Sequence, residues 1–294
     1  MRILLGLDPS EASQLALQEV ARRPWPSGTS IQVLTVVELY QPWTLTPIAE
    51  QATASANDLA KRGADLLRSR GLKADGVVLS GDARTVILDQ AATLQADLIV
   101  VGAQGVSALE RFLLGSVSKA ILKFAPCSVE VVRGNPNRDE SPFRVLLAAD
   151  GSSGSENAAK SIAGRPWLAG TEVRVLSVVE LGLSALQAAF EIPAFDAAHL
   201  ESQRQQAMQR AQSAIAAAVG ILEPTGLNVS ESISVLVSSP KEIILDEASS
   251  WAADLIVLGS HRPSGNRSLP AGQVSEEVAM HAKCSVEIIR APAQ

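Results

Sequence analysis

Two cysteines in 294 residues, Cys127 and Cys284, are too few for a disulfide framework. Positive charge is also scarce: 25 Lys and Arg against 31 Asp and Glu leave a net charge of −6. A nucleic-acid surface needs concentrated basic charge to displace phosphate counterions, so this composition argues against one. No apolar run approaches the roughly 18 residues that suggest a membrane span. The run within Met1–Asp8 is too short for a signal peptide, and the cytoplasm is the expected address. Catalytic signatures are missing too. There is no G-x4-G-K-[ST] loop and no G-x-S-x-G nucleophile elbow. His281 and Cys284 stand close together, but no second ligand pair accompanies them and zinc takes four ligands. Cys127 occupies the corresponding place without a nearby histidine, which favours packing thiols in both positions.

What is present is 47% apolar and 19% charged residues, the balance of a globular chain. The length suits two domains, each with its own core. The chain also repeats itself. Arg2-Ile-Leu-Leu-Gly-Leu-Asp8-Pro-Ser10 returns as Arg144-Val-Leu-Leu-Ala-Ala-Asp150-Gly-Ser152, and Arg23-Pro-Trp25 returns as Arg165-Pro-Trp167. Ala96–Gly102 returns as Ala253–Gly259, and Cys127-Ser-Val-Glu130 as Cys284-Ser-Val-Glu287. The spacing is 142 residues up to Glu180 and 157 after it, so the second copy carries about fifteen extra residues between Glu180 and Val229. An ordered series with one clean insertion implies two homologous domains, 1–134 and 143–294. The stretch Gly134–Pro142 is the expected linker.

Each copy alternates apolar, β-rich runs with helical patterns. In the first, strands are expected near Ile3–Leu7, Ile31–Val37, Gly76–Leu79, Leu98–Val101 and Val129–Val132. Helices are expected at Ser10–Arg22, Ala49–Arg70, Arg84–Leu94 and Ser116–Phe124. Strands apolar throughout imply a sheet covered on both faces. The fold class read from this pattern is α/β, with two tandem doubly wound, parallel, five-stranded sheets and helices on both faces. In the second copy Ala197–Leu222 reads as a longer helix, preceded by an irregular loop over Leu181–Phe195. Trp25 and Trp167 are expected to anchor the loop before strand two.

In such a sheet ligands gather beyond the carboxyl ends of the strands where chain order reverses, here between strands one and four. Asp8 ends the first of these. The second empties into Gly102-Ala-Gln-Gly105, nine further residues, and Gly115-Ser116 at the start of a helix. Unpaired N–H groups and the positive end of the helix dipole make that N-terminus an anion site, and phosphate is the expected guest. Asp8 can accept hydrogen bonds from ribose hydroxyls or an adenine amine; its alternative role is as a helix cap, for which Ser10 is better placed. Lys119 and Arg111 are within reach of phosphate but suit a solvated helix face, and Glu38 and Glu180 have nothing beside them that would activate a base.

With these residues the chain resembles the universal stress protein family in its tandem form, over nearly its whole length. ATP-binding members carry G-x2-G-x9-G-[ST] after strand four, matched here by Gly102, Gly105, Gly115 and Ser116. The resemblance implies an adenine-nucleotide alpha-hydrolase-like, Rossmann-like fold. It places Asp8, Leu7, Val36, Val101 and Gln104 against adenosine, and adds Val117 and Ser118 to the phosphate site. It further implies ATP, with or without Mg²⁺, as the cofactor, and pairing of domains through strand five as an intramolecular pseudo-dimer or a homodimer. The second copy departs from the motif. Arg262 stands for the second glycine and Gly272-Gln273 for Gly-Ser, although Asp150, Val178 and Ser275 remain. The expected function is a nucleotide-dependent sensor or regulator in stress response, with a protein partner still to be identified. A slow ATPase or nucleotidyl-transfer enzyme of the same fold and a nucleotide-independent interaction module are the alternatives.

Overall fold

The computed structural model describes residues 1–38, 46–104, 114–134, 142–180, 197–236, 239–260 and 273–291. The first half runs β1 (Arg2–Gly6), α1 (Glu11–Arg22), β2 (Ser30–Val37), α2 (Thr46–Ser69), β3 (Lys73–Ser80), α3 (Ala83–Leu94), β4 (Leu98–Gly102), α4 (Ser116–Phe124) and β5 (Ser128–Val132). The second runs β6 (Arg144–Ala148), α5 (Ser153–Ala163), β7 (Glu172–Glu180), α6 (Ala197–Leu222), a 3-10 turn at Glu223–Thr225, β8 (Asn228–Leu236), α7 (Pro240–Ser250), β9 (Leu255–Gly259), α8 (Gln273–His281) and β10 (Ser285–Ile289). The α/β fold expected from the alternation is present. The long helix expected at Ala197–Leu222 is α6; the loop expected at Leu181–Phe195 and all of the linker but its two end residues lie outside the described residues.

The strands form one ten-stranded sheet, β3-β2-β1-β4-β5-β10-β9-β6-β7-β8, so the two five-stranded halves are joined edge to edge. Every pairing within a half is parallel, and β5 meets β10 antiparallel with Val131 opposite Val286 and Glu130 opposite Glu287. Two apolar strand edges thus cover each other. Chain order reverses between β1 and β4, and again between β6 and β9.

The two faces of the seam are built differently. On one face a single apolar core crosses it, with Ile121, Leu122 and Val131 from the first half and Val278, Ala279 and Val286 from the second. On the other face each half keeps its own core, and charge fills the gap between. Arg23 donates to both Glu130 oxygens, and Arg165 donates to Glu287 at 2.8 Å. Both glutamates are 1% exposed. The arginine of each repeated Arg-Pro-Trp segment therefore reaches this charged seam. The tryptophans of the same segments, Trp25 and Trp167, donate their indole N–H groups to the Val20 and Ile162 carbonyls at 2.9 Å, anchoring the turns before β2 and β7.

Candidate functional site

The crevice between β1 and β4 is assembled by three serines and two glycines. Ser10 caps α1, its hydroxyl accepting the Ser13 N–H. Its own N–H donates to Asp8 Oδ1 at 3.0 Å, and its hydroxyl also reaches Asp8 Oδ1 and lies 3.2 Å from the Gln104 carbonyl. Ser13 closes the turn from the other side: its hydroxyl donates to the Asp8 carbonyl and accepts the Asp8 N–H. Asp8 therefore sits two residues beyond the end of β1 in a bonded turn, half-buried, and Ser10 ties that turn to the segment leaving β4. Ser10 and Ser13 were not singled out as site residues by sequence; the signal is the Ser-x-x-Ser spacing after the aspartate, repeated as Ser152 and Ser155 after Asp150.

Leu7, just past β1, is buried in the core on the α1 face, while the buried Val101 of β4 and the half-buried Val36 of β2 pack on the opposite face. Gly115 donates its N–H to the Ala103 carbonyl at 2.8 Å, so the chain leaves and re-enters the site at one point. Gly105 and Arg111, between those ends, lie outside the described residues, as do Arg262 and Gly272 of the second half. Gly115 is the N-cap of α4 at φ −63°, with no side-chain cap. By contrast Ser10, Asp82 and Ser152 cap α1, α3 and α5 through their side chains. The first-turn N–H groups of α4, on Ser116, Val117 and Ser118, lack such a cap at the mouth of the crevice. Ser116 is exposed, Val117 half-buried and Ser118 buried. The Ser118 hydroxyl donates to the Gly102 carbonyl at 2.7 Å, which leaves this residue's main chain rather than its hydroxyl to face a guest.

Gly102 itself is an extended strand residue. A Cβ there would stand 2.5 Å from the Ala12 carbonyl carbon and 2.7 Å from the Ser13 nitrogen. Its glycine is required by the close crossing of α1, and its φ is not positive. Lys119 is exposed, as a solvated helix face requires. Glu38 accepts the Ala83 N–H at 2.8 Å and so serves the start of α3. Burial pushes the Cys127 and Cys284 thiols up to about 12, which keeps both protonated and unreactive.

The second half reproduces the turn but not the setting. Ser152 donates its N–H to Asp150 Oδ1 at 3.0 Å and its hydroxyl at 2.6 Å, yet Asp150 is exposed. A cavity of about 470 Å³ lies beside it, walled by Gly151, Ser155 and Glu156 on one side and Gln206, Arg210 and Ala214 of α6 on the other. No residue of β9 lines it, so it is a groove between α5 and α6 and not the crevice between β6 and β9. Among the described residues no helix is long and apolar enough to cross a membrane.

Comparison with known proteins bears on what this geometry belongs to. A universal stress protein of Mycolicibacterium smegmatis is 27% identical over 300 residues, covering 98% of this chain and 96% of that protein. One from Mycobacterium tuberculosis is 28% identical over 247 residues, 82% of this chain and 76% of the other. The crystal structure of a universal stress protein from Archaeoglobus fulgidus superposes with a TM-score of 0.68 at 20% identity, covering 98% of both chains, and shares the fold. The model of the universal stress protein family matches twice, at residues 1–133 and 143–290. A match in both halves, over a sheet that reverses twice, leaves one conclusion: the chain belongs to the universal stress protein family.

Proposed function

We propose that this protein binds ATP in its first half and acts in the cytoplasm as a nucleotide-dependent sensor or regulator of the stress response. The units we infer are residues 1–134, with the complete glycine motif, and 143–294, with the degenerate one. The supporting observation is the α4 N-terminus, which has no side-chain cap and opens where Gly115 closes onto Ala103, across the crevice from Asp8. Its first-turn N–H groups, which no N-cap side chain covers, and its dipole suit the phosphates. Val101 and the half-buried Val36, on one face of the sheet, suit the base, and the carboxylate of Asp8 suits ribose or adenine donors.

In the second half, Arg262 would have to adopt the glycine's backbone and place its side chain where phosphate would lie. The backbone alone costs roughly 1–3 kcal/mol, and 1.4 kcal/mol is about tenfold in affinity. Titration calorimetry of the full chain is expected to show one ATP per chain, with any second site at least about tenfold weaker. Gly105→Arg, which copies the second half, is expected to abolish binding while circular dichroism stays unchanged. Unaltered affinity in that variant removes the phosphate loop from the site. Two equal sites in the parent protein make Arg262 a phosphate ligand instead.

A further inference from the structure

The segment that carries the phosphate-facing N–H groups is held at its far end by the other half of the molecule. α4 spans nine residues, about 13 Å of helix at 1.5 Å per residue. Its last carbonyls have no intrahelical partners. Arg290, one residue beyond β10 and 6% exposed, supplies them: its guanidinium donates to Leu122 and Ala125. Its backbone N–H donates to Ser128 Oγ at 3.2 Å, fixing the arginine on the edge of β5. The pseudo-symmetric residue does the converse. Arg133, one residue beyond β5, donates to Ala279 at 2.7 Å and Met280 at 3.3 Å at the end of α8, and its N–H donates to Ser285 Oγ. The two halves exchange one arginine each, and each arginine ends the other half's fourth helix.

Only one of these helices opens on a complete glycine motif. We infer that Arg290 of the second half is the positioning residue of the phosphate site in the first. This rests on the nucleotide reading above and says what the degenerate half contributes to it. A cation at a helix C-terminus complements the dipole whose positive end faces the phosphates. Two donors from one planar fork also fix the helix axis, which a single point contact does not. Among the described residues the hydrogen bonds near the start of α4, Ser118 to Gly102 and Gly115 to Ala103, hold its first turn, and Ile121 and Leu122 pack its apolar face into the shared core, whereas the Arg290 bonds fix its last turn.

The pseudo-symmetry provides its own control. In full-length protein, Arg290→Ala and Arg133→Ala each remove one interhalf arginine and are expected to lower the melting temperature alike. Only Arg290→Ala is expected to speed hydrogen exchange at the Lys119, Ala120 and Ile121 amides in nucleotide-free protein, and to weaken ATP about fivefold or more. Arg290→Lys, which keeps the charge and loses the fork, is expected to fall between and serves if the alanine variant does not fold. Equal effects of the two alanine variants on α4 exchange, or none from either, overturn the inference. A parent protein that takes up no ATP refutes the nucleotide reading alone, because the exchange comparison still decides the clamp.

Discussion

Replacing Arg23 by methionine is expected to cost the full-length protein about 3–5 kcal/mol at pH 7 and much less near pH 4. The Arg23 side chain is 5% exposed and holds the 1%-exposed Glu130 side chain with two bonds, at 2.9 and 2.5 Å. Its Nε donates to Glu19 at 2.9 Å. Without the guanidinium a carboxylate remains buried in register with a second one, Glu287, whose own partner Arg165 belongs to the other half. Burial, reinforced by Glu287 and opposed by Arg23, already holds the Glu130 carboxyl above its ordinary value of 4.5. A carboxyl raised in the folded state favours folding fully below its unfolded value, and that contribution fades as pH climbs through the folded one. Removing Arg23 lifts the folded value further and widens that window upward. Glu19 acts in the same direction. Burial raises its carboxyl, but Arg23 and Arg22 outweigh burial and hold it below 4.5, a contribution present above that pH and reduced in the variant. Urea unfolding at pH 4 and pH 7 measures the difference; a penalty independent of pH refutes this account. Adding Glu130→Leu to Arg23→Met is expected to recover most of the loss at pH 7, because an apolar pair needs no charge partner.

The elements of the fold were legible because they are written in short-range patterns. Apolar runs such as Leu98-Ile-Val-Val101 and the heptad-like face of α1 announce themselves within a dozen residues. Internal repetition supplied the two halves, and Asp8, Gly115 and Ser116 stood out by spacing. Pairing of the halves through strand five was expected, and β5 does meet β10, but the charged side of that seam was not legible in the same way. Glu130 and Glu287 looked like ordinary members of repeated segments, since nothing local says that two glutamates 157 residues apart will share a ladder position with an arginine for each. Arg133 and Arg290 bond across 146 to 168 residues of sequence. The reason for Gly102 was also hidden. Spacing marks the glycine, while only the path of α1 shows what would strike its Cβ.

That last distinction has a large measurable consequence. Gly259→Ala is expected to destabilise the protein by about 3 kcal/mol or more, at or beyond the upper end of ordinary overpacking. Its Cβ would stand 2.1 Å from the Gly154 carbonyl carbon and 2.5 Å from the Ser155 nitrogen. Both are backbone of α5, which cannot rotate away as a side chain can. Gly102→Ala meets the equivalent backbone of α1 at 2.5 Å and is expected to cost somewhat less. Gly220→Ala, in α6 with nothing within 4 Å, is the control and is expected to stabilise by roughly 0.5–1 kcal/mol. Urea midpoints of the three variants test the order. The comparison explains why the second half keeps the first glycine of a motif whose second glycine and serine it has lost: helix and strand touch there whether or not a phosphate is bound. If Gly102→Ala kept its stability and lost only ATP, the glycine would serve the ligand. If both alanine variants at the strand ends fall apart together, while Gly220→Ala does not, the first motif glycine belongs to the fold, and nucleotide specificity begins at the second.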